Sequence, residues 1–190
     1  PTKNECTVSL VARKLNEIEV NDNDIVIGLD EKDITVKSSY LMIWSEYFRG
    51  YFTTEMKEKA EGRFPVKDMT VADFQEMLSI ISPPNKPINY ENVEKMLELA
   101  DRFVMPILTR QCEMFLSTVI NDVKFPFTNS RLFLLANQYN LGIIIALLLD
   151  RWTDAKIFRN EFLISDEYKQ LPPNSDQFVT KKSFIFSRIF

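Results

Sequence analysis

Apolar and polar positions alternate with two different periods along this chain, and the change of period sets out its organisation. Residues 5–15 place Cys6, Val8, Leu10 and Ala12 on one side, the period-2 pattern of a strand. A polar connector follows and ends in Asn21-Asp22-Asn23-Asp24, where the composition shifts and a boundary is expected near residue 21. Ile25-Val26-Ile27 and Ile34-Thr35-Val36 are short β-rich runs separated by Gly28 and the charged 30–33 stretch, the pattern of a hairpin.

A helix is expected after Ser38. At about 100° per residue, Leu41, Ser45, Phe48 and Phe52 fall on one stripe and Tyr40, Ile43, Tyr47 and Tyr51 on a second, with Trp44 between them. The apolar arc covers roughly 200°, twice what one core contact needs. Such a helix is either central in the fold or covered on its second side by a partner. The 53–62 segment is charged and loop-like. Phe64 and Val66 alternate around Pro65, which confines a strand there to a sheet edge.

Five further helices are clearer. Thr70 and Asp73 have capping-box spacing, Phe74, Met77, Leu78 and Ile81 repeat as one face, and Ser82-Pro83-Pro84 stops the helix. Asn89 caps the next, whose core face is Val93, Met96, Leu97, Ala100, Phe103 and Val104. Pro106 suits the first turn of another, with Leu108, Cys112, Phe115, Leu116 and Val119 inward. A second helical pair follows Thr128 and carries the Ile143–Leu149 run. Ala100–Pro106 and Ala136–Gly142 echo one another at an offset of 36 residues, each a helix end turning into the next helix. Beyond residue 160 the pattern weakens, with a Pro-rich loop at 171–175 and a short helix or tail over 178–190.

Composition narrows the chemistry. The 190 residues carry a net charge of −4 and include no histidine and four glycines. There is no imidazole for a catalytic triad, a general base or a zinc site, and Gly28, Gly50, Gly62 and Gly142 are too scattered for a phosphate-binding loop. Asp150 and Asp154 share a helical spacing but read as a solvated face. No enzyme activity, cofactor or metal is expected. The mild acidity argues against a nucleic-acid partner. The Leu141–Leu149 run is far shorter than the ~20 residues of a membrane span. Two distant cysteines, Cys6 and Cys112, make no disulfide framework, which points to a reducing compartment. What remains is a protein-binding module.

The order of hairpin, helix, weak strand and helical hairpins comes with particular residues. These are Asp24-Ile25-Val26, Ile34-Thr35-Val36-Lys37, Ser45-Glu46-Tyr47-Phe48 and Phe64-Pro65-Val66-Lys67-Asp68, then Phe74 and Leu78, Ala100-Asp101-Arg102-Phe103 and Cys112-Glu113-Met114-Phe115-Leu116. Taken together over residues 22–120, they resemble the BTB/POZ domain. The 81–92 stretch is most similar to nematode BTB proteins, which often carry a MATH domain upstream. Two positions depart from the family pattern. Lys37 stands where many members have histidine, and Ser82-Pro83-Pro84 replaces the usual Tyr-Thr-Gly.

The resemblance implies an α+β fold, a small β-sheet flanked by a helical cluster over residues 22–120. Residues 1–21 would be the strand and linker ending an upstream MATH domain in a fragment of a longer protein. Residues 121–190 would be an all-α helical extension of the three-box or BACK type. It implies a homodimer through the first long helix, with Tyr40, Ile43, Tyr47 and Tyr51 dimer-facing. It also implies that Met56 and Glu58, in a hydrophobic-x-Glu motif, bind the N-terminal region of cullin-3; Met96-Leu97-Glu98 fits the same motif inside an ordinary helix. The function implied is a dimeric substrate adaptor of a cullin-3 ubiquitin ligase, with substrate held by a region outside this chain. The alternative is a BTB oligomerisation module in transcriptional or cytoskeletal regulation. Either would be intracellular, in cytoplasm or nucleus.

Overall fold

A computed structural model of the chain describes residues 24–30, 32–53, 63–122, 126–151 and Asp166. The strand expected at 5–15, the loop bearing Met56 and Glu58, and the 178–190 tail lie outside the described residues. The described residues fall into two compact units. One holds those up to Ile88 together with Glu94–Leu108, the other Asn89–Val93 with those from Thr109 onward.

The first unit contains a three-stranded sheet. β1 (Asp24–Gly28) and β2 (Asp33–Lys37) form the expected antiparallel hairpin, with Ile25 opposite Val36 and Ile27 opposite Ile34. β3 (Arg63–Pro65) pairs parallel with β1, so the order is β2-β1-β3 and Pro65 lies on an edge strand, where its missing N–H costs no ladder bond. Ile25, Ile27 and Phe64 are buried. On the opposite face Arg63 reaches across β1 to Asp33, pairing with both carboxylate oxygens at 3.0 and 2.8 Å. Gly28 makes room for that crossing: a Cβ there would lie 2.6 Å from the guanidinium carbon.

The helical region after Ser38 differs from the single helix expected. It is two helices, α1 (Ser38–Trp44) and α2 (Glu46–Thr53), broken at Ser45, whose backbone is extended at φ −125° and ψ 121°. The break is a capping event. Ser45 Oγ accepts from the Phe48 N–H at 3.0 Å, the bond of an N-cap, and donates to the Phe103 carbonyl at 2.6 Å. The two apolar stripes therefore do not run on as one face. Leu41 and Met42 are buried on α1, and Phe48 and Phe52 on α2. Phe103, Phe48, Phe52 and Phe64 form a continuous ladder of rings, with centroids 4.9, 5.6 and 4.7 Å apart in that order.

α3 (Val71–Ile81) starts at a Thr70 cap, with the Asp73 N–H bonded to Thr70 Oγ1, and ends before Ser82 as expected. α4 (Val93–Arg102) follows Asn89, whose Oδ1 accepts from the Glu91 and Asn92 N–H groups. Its expected core face holds except at Val104. That residue lies beyond the helix at φ +49°, with its side chain outward. The Met105 N–H bonds back to the Ala100 carbonyl at 2.7 Å, so the helix closes in a left-handed turn and Met105, not Val104, enters the core.

From Thr109 onward α5 (Pro106–Val119) belongs to the second unit, where it buries Cys112, Glu113 and Leu116, while Phe115 and Val119 are half-buried. α6 (Asn129–Gln138) is capped by Thr128, and α7 (Gly142–Arg151) buries Ile144 and Leu148. Glu113 Oε1 accepts the Ile143 N–H at 2.7 Å, while Arg110 bonds its other oxygen at 2.7 Å, so one carboxylate holds the start of α7 to α5. Among the described residues no helix is long and apolar enough to cross a membrane.

Candidate interaction groove

The break at Ser45 also builds the site. Ser45 Oγ is tied to the Phe103 carbonyl, and the Glu46 N–H donates to the Val104 carbonyl at 3.1 Å. These two bonds fasten the start of α2 to the turn that ends α4. Tyr47, in the next position, meets the Phe103 ring at a tilt of 56°, with centroids 5.6 Å apart. Tyr51, one helical turn on, lies 5.8 Å from Tyr47 and meets Phe64 edge-on at 5.3 Å. Its hydroxyl donates to the Pro65 carbonyl at 3.4 Å.

Arg102 closes the other side. Its guanidinium donates to the Asp68 carbonyl at 2.6 Å and to the Lys67 carbonyl, and lies 5.2 Å from the Phe103 ring centroid. The segment after β3 is thereby held against the end of α4. Between them is an open groove of about 360 Å³. Tyr47, Tyr51, Pro65, Val66 and Phe103 give it apolar walls, and Lys67 and Arg102 put two cations on its rim.

Its chemistry is that of recognition. Aromatic rings present large area with few torsions to immobilise. Among the described residues every buried polar side-chain atom already has a partner, so the groove offers apolar contact and positive charge rather than an unmet hydrogen-bonding demand. Among the described residues no three His, Cys, Asp or Glu side chains stand together as a metal-ligand set. Cys112 lies in the second unit, and burial pushes its thiol up to about 12, far from the thiolate a nucleophile needs.

The four tyrosine-stripe residues are divided by the break. Tyr40, 38% exposed, and Ile43, half-buried, belong to α1. Tyr47, 42% exposed, and Tyr51 belong to α2 and line the groove. Met56 and Glu58 are outside the described residues. Helical periodicity does not bring in Pro65, Lys67 and Arg102, because the groove joins three separate segments, with 14 residues from Tyr51 to Pro65 and 35 from Lys67 to Arg102. The one local signal was Lys67 and Arg102 standing beside residues that pattern alone assigned to strand and core.

A family model for the BTB/POZ domain matches residues 15–119. Among curated proteins, the chain is 29% identical to BTB and MATH domain-containing protein 38 of Caenorhabditis elegans over 99 residues, which is 52% of this chain and 26% of that protein. It is 32% identical to BTB and MATH domain-containing protein 36 of the same organism over 107 residues, covering 54% and 33%. Human Kelch-like protein 6 matches at 24% identity over 176 residues, covering 87% of this chain and 27% of that protein. The chain thus spans about a quarter to a third of the length of these relatives. Among solved structures, the BTB domain of human gigaxonin matches at 19% identity and a TM-score of 0.39, covering 60% of this chain and 93% of that one.

Proposed function

The chain belongs to the BTB/POZ domain family of protein-interaction modules, and from that premise we propose that it is the dimeric adaptor part of a cullin-3 ubiquitin ligase. The reading rests on one observation: an open groove with aromatic walls and a cationic rim, two of whose walls, Tyr51 and Pro65, flank in sequence the stretch that carries Met56 and Glu58. The N-terminal region of cullin-3 would place an apolar side chain in the groove and an acidic group against Lys67 and Arg102. Met56 and Glu58 would extend the contact. The chain would carry out no chemistry of its own.

Residues 22–120 form the BTB domain in this reading, and residues 121–190 its three-box or BACK-like extension. Residues 1–21 end an upstream MATH domain, and the substrate is held by a region outside this chain. The homodimer forms through α1, with Tyr40 and Ile43 at the contact, while Tyr47 and Tyr51 serve the groove. The complex works inside the cell, in cytoplasm or nucleus.

Titration calorimetry of the purified chain against the cullin-3 N-terminal region tests the proposal. The expected result is binding by the parent chain and clear weakening by Met56→Asp and Glu58→Lys. No binding by the parent chain overturns the adaptor reading and leaves an oligomerisation module of transcriptional or cytoskeletal regulators. Binding untouched by both substitutions removes Met56 and Glu58 from the contact. Light scattering reads the dimer directly, and a monomer at micromolar concentration returns Tyr40 and Ile43 to the single chain.

A further inference from the structure

The echo at an offset of 36 residues is a repeated piece of backbone. Ala100–Met105 and Ala136–Leu141 both close a helix in the same way. The Met105 N–H bonds to the Ala100 carbonyl at 2.7 Å and the Leu141 N–H to the Ala136 carbonyl at 2.8 Å. Met105 and Leu141 are each 1% exposed. The residue before each is left-handed, Val104 at φ +49° and Asn140 at φ +55°. Asn tolerates that region; for a β-branched residue it is an outlier. The same turn is therefore made once with a suitable residue and once with a strained one.

Nothing inside the fold explains the valine. Its side chain is 49% exposed, so the core does not require it. Its carbonyl accepts the Glu46 N–H, which any residue would do. What is particular to Val104 is an apolar side chain held outward, next to Phe103 and bonded through its backbone to the residue before Tyr47. Strain of this kind persists where a surface has use for it.

We propose that Val104 is a partner-contacting residue that extends the groove of Tyr47 and Phe103. It meets an apolar side chain of the docked segment, next to the acidic group that Lys67 and Arg102 attract. This rests on the adaptor reading, so the probe is the purified cullin-3 N-terminal region. Stability and affinity should move in opposite directions. Val104→Asn relieves the strain and melts higher, by roughly 2–4 °C for a chain of this size, yet binds about tenfold more weakly, the loss of one well-buried apolar contact. Val104→Ile keeps both the strain and the binding. Asn140→Val, the mirror change, melts lower and binds as the parent does.

A parent chain that does not bind overturns both this proposal and the adaptor reading. Val104→Asn binding as tightly as a binding parent overturns this proposal alone. So does a Val104→Asn chain that loses affinity without gaining stability, or an Asn140→Val chain that weakens binding as much.

Discussion

Ser45 is the residue whose removal should reveal most about how this fold is held. It is fully buried and makes two bonds, accepting from the Phe48 N–H at 3.0 Å and donating to the Phe103 carbonyl at 2.6 Å. Ser45→Ala removes both and leaves the volume almost unchanged. Loss of an N-cap costs about 1 kcal/mol, and loss of a buried side-chain donor to a carbonyl adds about 1–2 kcal/mol. The expected cost is therefore about 2–3 kcal/mol. Thr70→Ala is the matched control: Thr70 caps α3 through the Asp73 N–H, an exposed bond, and its loss should cost only about 1 kcal/mol. Urea denaturation of the two variants measures the difference. With a slope of about 1–3 kcal/mol/M, Ser45→Ala should lower the midpoint by about 0.7 M or more, and by at least twice the shift of Thr70→Ala. A Ser45→Ala shift no larger than that of Thr70→Ala would show the Phe103 bond to be worthless and refute the account of the break.

Two further expectations concern ionised groups. Glu113→Ala should cost about 2–3 kcal/mol, because the Ile143 N–H loses a charged acceptor, while Arg110→Ala should cost under about 1 kcal/mol, since Arg110 is half exposed. Glu113→Gln should fall between them by denaturant midpoint, and equal effects of Glu113→Ala and Arg110→Ala would contradict the assignment. On the sheet, the hydrogen bond from Arg63 holds the Asp33 carboxyl below its ordinary value of 3.8. A carboxyl lowered in the folded state adds stability above its unfolded pKa and loses it as pH falls through the folded value. The parent chain should therefore melt slightly above Asp33→Asn at neutral pH, and the gap should close well below pH 3.8. Gly28→Ala, by displacing the guanidinium, should show the same narrowed gap; a gap that persists in acid would rule out the ion pair as its source.

What could be read from the sequence was local. The hairpin, the Thr70 and Asn89 caps, the Pro83 stop and the edge position of Pro65 each follow from residues within a few positions of one another. The break at Ser45 does not, because its cause is the Phe103 carbonyl, 58 residues away. Within an apolar stretch a serine is compatible with a continuous helix until a distant acceptor takes its hydroxyl. Val104 escapes the pattern for a related reason: periodicity extends a helix face until something ends it, and a valine is a poor announcement of a left-handed turn. The structural role of Glu113 was invisible because its partner, the Ile143 N–H, is a backbone group carrying no residue signature. Half of the tyrosine stripe was thereby shifted from one helix to another, and the groove emerged only when α2, the segment after β3 and the end of α4 were brought together.

The groove and the core share a side chain, and that decides which substitutions can be informative. Phe103 stacks on the buried Phe48 at 4.9 Å and meets the exposed Tyr47 at a tilt, 5.6 Å away. Truncating a buried phenylalanine costs about 3–5 kcal/mol of stability, so lost binding in a Phe103 variant would report unfolding as readily as recognition. Lys67 and Val104 stand on the other side of that division, exposed and outside the ring ladder. Changes there leave the ladder intact, so an affinity change at either one can be assigned to the surface itself. A wall anchored in the core also changes shape little when the groove is filled, which lowers the ordering cost of docking. The ring ladder from Phe103 to Phe64 thus stabilises the first unit and, through its outermost ring, holds the groove open in the form a partner would meet.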